Sequence, residues 1–261
     1  VYARAAKSVK TENEIALMRE AGRILGGALA MIEPYVVPGV TTGDLERRIE
    51  EYIRGHGAVP AFKGYRGFPG SICSSVNEEV VHGIPGKRVL VEGDIVGVDV
   101  GVLKDAYYSD GARTYSVGEV STEATELMEV TAAALRAGIE KAQVGNRVSD
   151  ISHAIEQMVT SRGFSVVKEL VGHGIGRSMH EEPQVPNFGP PGRGALLKKG
   201  MTLAIEPMVN VGKSEVITLE DNWTVVTKDR SLSAHFEHTI AISDNGAEIL
   251  TEYRPRGRKR S

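Results

Sequence analysis

The chain has 261 residues, 41% of them hydrophobic, and a formal charge of −3 at neutral pH. This is enough apolar material for one large domain or two small ones, and no global charge draws the body of the protein to nucleic acid or a membrane. The single cysteine, Cys73, excludes an internal disulfide and a cysteine-cluster zinc site.

The first segment, VYARAAKSVKTENE, lacks the apolar stretch of a secretory signal, and no apolar run reaches the roughly 20 residues of a membrane span. A cytoplasmic setting without membrane contact is therefore expected. Thr11 and Glu14 form a candidate capping box, after which Ile15, Met18, Ile24, Leu25, Leu29 and Ile32 recur at helical spacing until Pro34. A second helix is predicted over residues 43–54, with Thr42 as cap, Leu45, Ile49 and Ile53 inward, and Gly55 and Gly57 closing it. Residues 58–75, rich in glycine and aromatics, read as a loop over a pocket. Residues 91–118 read as at least two strands joined by a turn. Helices follow over 122–142 and 150–162, the latter ended by Gly163. Strands are expected over 166–171, 201–211 and 234–243. A hairpin is expected from 215–220 and 223–227, turning at Asp221 and Asn222, and a last turn at Asn245 and Gly246.

The order is helices, strands, helices, strands, a mixed α/β (α+β) pattern without the short alternation of a doubly wound sheet. No glycine-rich phosphate loop is present. Two echoes run through the chain in the same order. His82-Gly83-Ile84 is matched by His173-Gly174-Ile175. Gly93 stands six residues before Asp99, as Gly200 does before Glu206. They favour two related halves that meet at a site.

Five dispersed residues carry the chemistry: Asp99, Asp110, His173, Glu206 and Glu237. Asp99 interrupts an apolar strand between Val98 and Val100, and a buried carboxylate must be paired or bound to a cation. A surface-facing Asp99 and a turn role for Asp110 are the plain alternatives. Glu206 lies among apolar neighbours before Pro207, which marks a strand end or irregularity. Glu237 precedes another apolar run, and the glycines around His173 permit close approach. Four carboxylates and one imidazole suit two divalent cations such as manganese, iron, cobalt or zinc, better than magnesium or calcium.

HGIP, GDIVGVDVG, YYSDGART, GHGIGRSMHEEP, IEPM and SLSAHFEHT resemble the motifs of bacterial-type methionine aminopeptidases, type I, across residues 10–252. The resemblance implies a pita-bread fold, with pseudo-twofold halves and a curved antiparallel sheet flanked by helices. It implies a single catalytic domain over 11–252, after an N-terminal extension of residues 1–10. The implied activity is removal of N-terminal methionine from nascent chains or peptides, with a small second residue, by a water activated between two metals. Asp99 would hold one metal, Asp110 and Glu237 would bridge the two, and His173 and Glu206 would complete the second metal's ligands, with Glu206 also moving the water's proton. His82 would sit near the substrate amine and His180 at the scissile amide. Tyr65, Phe68, Cys73 and Trp223 would line the methionine pocket, with Cys73 no nucleophile. Asn77 and Ser233 resemble parts of a monovalent-cation site. A monomer is implied.

The sequence departs from the family pattern at Met179 and Arg66, which would alter the rim or the second substrate position. His153 stays outside the proposal, and His235 would at most support Glu237. The tail over 253–261, with Arg254, Arg256, Arg258, Lys259 and Arg260, is either a solvated terminus or a foothold on a ribosome. A proline-specific aminopeptidase on the same fold and an inactive peptide-binding protein are the rival readings.

Overall fold

A computed structural model describes residues 9–252 of the chain. Helix α1 (Glu12–Ile32) starts with the expected box: Thr11 Oγ1 accepts from the Glu14 amide, and the Glu14 carboxylate accepts from the Thr11 amide. Such a cap contributes about 1 kcal/mol. Each fully buried leucine or isoleucine contributes about 1.5–3 kcal/mol, so burial of Ile24, Leu25, Leu29 and Ile32 decides where the helix sits. It packs with α2 (Thr42–Gly55) against an antiparallel sheet.

That sheet is built on β4 (Ile95–Lys104) and β5 (Tyr107–Ser116), a ten-residue ladder without a break, from Ile95 opposite Ser116 to Lys104 opposite Tyr107. Strands β1 (Val59–Pro60) and β2 (Cys73–Val76) pair with the other edge of β4. Val96, Val98, Val100 and Val102 point from β4 into the core shared with α1 and α2. The alternation leaves Asp99 on the opposite face.

The second half repeats the plan. Helices α3 (Thr122–Lys141) and α4 (Val148–Thr160) bury Leu127, Leu135, Ile151 and Ile155 against Leu203, Ile205, Ile240 and Ile242. The last four come from β9 (Thr202–Ile205) and β14 (His238–Ser243). These strands belong to an antiparallel sheet ordered β15–β14–β9–β7–β8, with β7 at Gly172–Gly174, β8 at Glu181–Val185 and β15 at Gly246–Ile249. Two small sheets complete the described strands. One joins β13 (Ser233–His235), β10 (Met208–Asn210) and β6 (Ser165–Val166). The other joins β11 (Val216–Thr218), β12 (Val225–Thr227) and β3 (Glu79–Val81).

Three expected strands are shorter or broken. The 201–211 segment splits at Glu206-Pro207, as the proline anticipated. The 234–243 segment splits at Phe236-Glu237, where the backbone leaves β10 and bonds to β5: the Glu237 amide donates to the Ala112 carbonyl at 2.9 Å. Of the 166–171 segment only Val166 joins a ladder, in a strand that begins at Ser165. The halves meet along β5 and β14, where Thr239 Oγ1 accepts from the Asp110 amide (2.9 Å) and donates to the Asp110 carbonyl (2.8 Å). Helix α1 is also clamped to the residues after β15. A Cβ at Gly22 or Gly26 would overlap the carbonyls of Leu250 or Glu252.

Candidate metal centre

The β4–β5 register resolves the odd spacing of Asp99 and Asp110. Asp99 faces Ala112 and Asp110 faces Gly101, so the two aspartates are diagonal neighbours on one sheet face. The surface reading of Asp99 and the turn reading of Asp110 both fall, because the two line an internal cavity with His173, Glu206 and Glu237.

His173 sits in the short strand β7. Its Nδ1–H donates to the Gly174 carbonyl at 2.8 Å, which fixes the tautomer and leaves the Nε2 lone pair aimed into the cavity. Nε2 lies 3.6 Å from Glu206 Oε1 and 4.0 Å from Asp110 Oδ2. The flanking glycines are required by close approach: a Cβ at Gly172 would strike the Ala204 carbonyl, and one at Gly174 the Glu182 carbonyl. Glu206 and Glu237 stand at the two strand breaks, where their side chains leave the ladder and enter the cavity. One atom each of Asp110, His173 and Glu237 come within 4.8 Å of one another.

The electrostatics test whether cations fit. Burial and mutual repulsion push Asp99, Glu206 and Glu237 well above the usual carboxylate range, and burial pushes Asp110 up to about 7. Among the described residues no lysine or arginine pairs with any of the four. Asp99 Oδ1 and Glu237 Oε1 are buried without a hydrogen-bond partner. Clustered acids, two orphaned oxygens and an imidazole lone pair form a donor set that lacks only positive charge.

The profile of Metallopeptidase family M24 matches residues 16–244. The chain belongs to that family. Within M24 it groups with the bacterial-type methionine aminopeptidases. It is 56% identical over 244 residues to the methionine aminopeptidase of Clostridium acetobutylicum, covering 93% of this chain and 98% of the relative. The solved methionine aminopeptidase of Thermotoga maritima superposes with a TM-score of 0.92 at 50% identity, over 94% of this chain and 98% of that one. These matches bear out the pita-bread fold. The prolidase of Pyrococcus furiosus, at 23% identity and a TM-score of 0.78 over 96% of this chain and 67% of its own, shares the fold alone.

Around the five candidate ligands, His82, His180, Tyr65, Phe68, Cys73 and Trp223 all line the same cavity. The His180 ring lies 4.2 Å from that of His173, and its Nδ1 is 2.9 Å from the Tyr65 hydroxyl. Phe68 and Trp223 meet edge to face at 5.1 Å. Burial lowers His82, and burial with neighbouring imidazoles and Arg66 lowers His180 to about 4, so both rings are neutral near pH 7. Burial and the acids raise the Cys73 thiol, which keeps it protonated and poorly nucleophilic.

Phe62, Val81, Leu170, Val171, Met208 and His235 line the cavity too. The apolar five carry no sequence signal that separates them from core. His235 Nε2 lies 3.8 Å from Glu206 Oε2, so it stands beside Glu206 rather than only behind Glu237. Met179 is 1% exposed and packed with Phe62 and Cys73 behind the wall, whereas Arg66 is on the rim. Asn77 and Ser233 adjoin through the Ser233 amide and the Asn77 carbonyl (2.9 Å). The Asn77 side chain is engaged by Asp94 and the Ile95 amide, and Ser233 Oγ by Asn210. His153 is on α4, away from the cavity-lining set. The basic tail lies outside the described residues.

Proposed function

We propose that Asp99, Asp110, His173, Glu206 and Glu237 hold two divalent cations, and that this centre removes methionine from the free N-terminus of nascent chains with a small second residue. The observation that carries the reading is the buried acid cluster with no compensating cation. When bound, the cations would supply Lewis acidity to the scissile carbonyl and to the attacking water.

The protein's own groups do the rest. Glu206, raised by burial and by Asp110 and open to the cavity, takes and returns the water's proton. His82, neutral, accepts a hydrogen bond from the substrate amine. His180 donates from Nε2 to the oxygen on which charge develops, and the Tyr65 hydroxyl, by donating to Nδ1, selects that tautomer. Tyr65, Phe68, Cys73 and Trp223 enclose the methionine side chain, whose thioether suits aromatic and sulfur contacts.

Manganese, iron, cobalt and zinc all match the donors. A monovalent cation near Asn77 and Ser233 would have to rely on backbone carbonyls. We read the chain as a cytoplasmic monomer with one catalytic domain over 11–252, and a ribosome contact through the basic tail as the alternative to a solvated terminus. No described helix is long and apolar enough to cross a membrane.

The test is methionine release from a Met-Ala peptide, its N-acetylated form and a proline-containing dipeptide, with and without chelator, alongside metal analysis of protein purified without added metal. Release from the free Met-Ala peptide alone, abolished by chelator, is expected. Preferential cleavage of the proline substrate, or no release with metal supplied, would overturn the reading.

A further inference from the structure

The metal cavity has a volume of about 180 Å³. That is below the roughly 300–1,000 Å³ of a pocket for a drug-sized ligand. It therefore accommodates the methionine side chain, the reacting bond and a small second residue, and the rest of a peptide must lie elsewhere. A second cavity of about 960 Å³ adjoins it, and the two share Arg66, Leu170, Val171, His173 and His180. A peptide leaving the metal centre by this route crosses that shared wall. Extended backbone advances about 3.3 Å per residue with side chains on alternate sides. With methionine and a small second residue held inside, the third residue is the first to reach the wall.

Arg66 is the one permanently charged side chain common to both cavities. It sits in a turn at φ 50°, with its guanidinium carbon 5.4 Å over the Tyr65 ring, and Tyr65 in turn bonds His180. The other cations of the outer cavity have carboxylate partners: Lys10 contacts Glu181 at 2.7 Å and Arg177 contacts Glu14 at 3.3 Å. Among the described residues no carboxylate pairs with Arg66. Glu169 and Glu182 line only the outer cavity.

We propose that Arg66 is a specificity-determining residue that favours an acidic side chain at the third position of the substrate. The proposal rests on the methionine-removal reading above and adds a preference to it. An unpaired guanidinium on the wall attracts a carboxylate and repels an ammonium. Glu169 and Glu182 act further out and in the opposite sense, which confines the acidic preference to the third position.

The experiment compares kcat/KM for three peptides, Met-Ala-Glu, Met-Ala-Gln and Met-Ala-Lys, extended by one common uncharged sequence. At low salt the wild-type protein should favour glutamate over lysine by about threefold to tenfold, carried in KM, the scale of an exposed charge contact. The ratio should shrink in 1 M salt. In Arg66→Gln it should fall to about 1, whereas Arg66→Lys should keep its sign. The ratio is internal to each variant, so a change in overall activity leaves it readable, and Arg66→Lys with the salt series suffices if Arg66→Gln does not fold. An unchanged ratio in Arg66→Gln, no response to salt, or a wild-type preference for lysine would overturn the proposal; the last would assign selection to Glu169 and Glu182. Failure of the metal-loaded wild-type protein to release methionine from all three peptides would instead defeat the reading beneath it.

Discussion

The two halves of the molecule place their carboxylates by opposite means. In the first half Asp99 and Asp110 sit inside an unbroken ladder, where the period of two and the register put both on one face. In the second half Glu206 and Glu237 sit where ladders fail, and His173 occupies a three-residue strand held by glycine contacts. A ladder fixes side chains rigidly but only at strand spacing. A break frees the next side chain to turn inward, at the cost of backbone partners that must be found elsewhere, as Glu237 finds Ala112. The rigid half thus offers a fixed pair of ligands and the broken half brings its donors to them.

The hardest test of this division is Glu206→Gln. The substitution keeps the shape at the break and removes the proton carrier. Turnover of metal-loaded protein should fall about 10²- to 10⁴-fold with an unchanged circular dichroism spectrum. Near-wild-type turnover would remove Glu206 from proton transfer and leave it a ligand only.

Chelation probes both halves at once. Asp110 has its folded pKa raised to about 7 from 3.8, and the other three acids move in the same direction. Below about pH 4 folded and unfolded states are both protonated and nothing is lost. As pH rises from about 4 to about 7 the unfolded state sheds protons that the folded state keeps, so metal-free protein should lose stability across that window. Saturating divalent metal should flatten the loss. Thermal unfolding against pH, with and without chelator, reads both outcomes, and a metal-free profile that rises over this window would contradict the acid cluster.

The seam offers the smallest effect. Thr239→Val removes both bonds to the Asp110 backbone, leaving buried groups unpaired at a cost of about 1–3 kcal/mol. Denaturant unfolding should show that loss. Metal affinity should also weaken, because Asp110 is then less firmly held against the second half. Unchanged affinity would show that β4 alone positions Asp110.

The same division explains what the sequence made legible. Asp99 stood out because a charge in a valine run contradicts its surroundings, and Pro207 marked the break at Glu206. Nothing comparable marks Phe236-Glu237. The segment reads as one strand, and only pairing with β5, a partner more than a hundred residues away, interrupts it. Leu170 and Val171 were read as strand and instead line the cavity, because β6 ends once Val166 has paired with Val209. Phe62, Val81 and Met208 were invisible for a simpler reason: a side chain facing an enclosed site has the composition of one facing the core.

The clamp on α1 has a consequence for biosynthesis. Gly22 and Gly26 are covered by the backbone at Leu250–Glu252, more than two hundred residues later in synthesis. Helix α1 therefore stays uncovered on that face until residues 250–252 have been made. Its docking is a late, non-local event of the kind that slows folding. The helix that the sequence announces most clearly is thus one whose packing waits on residues far along the chain.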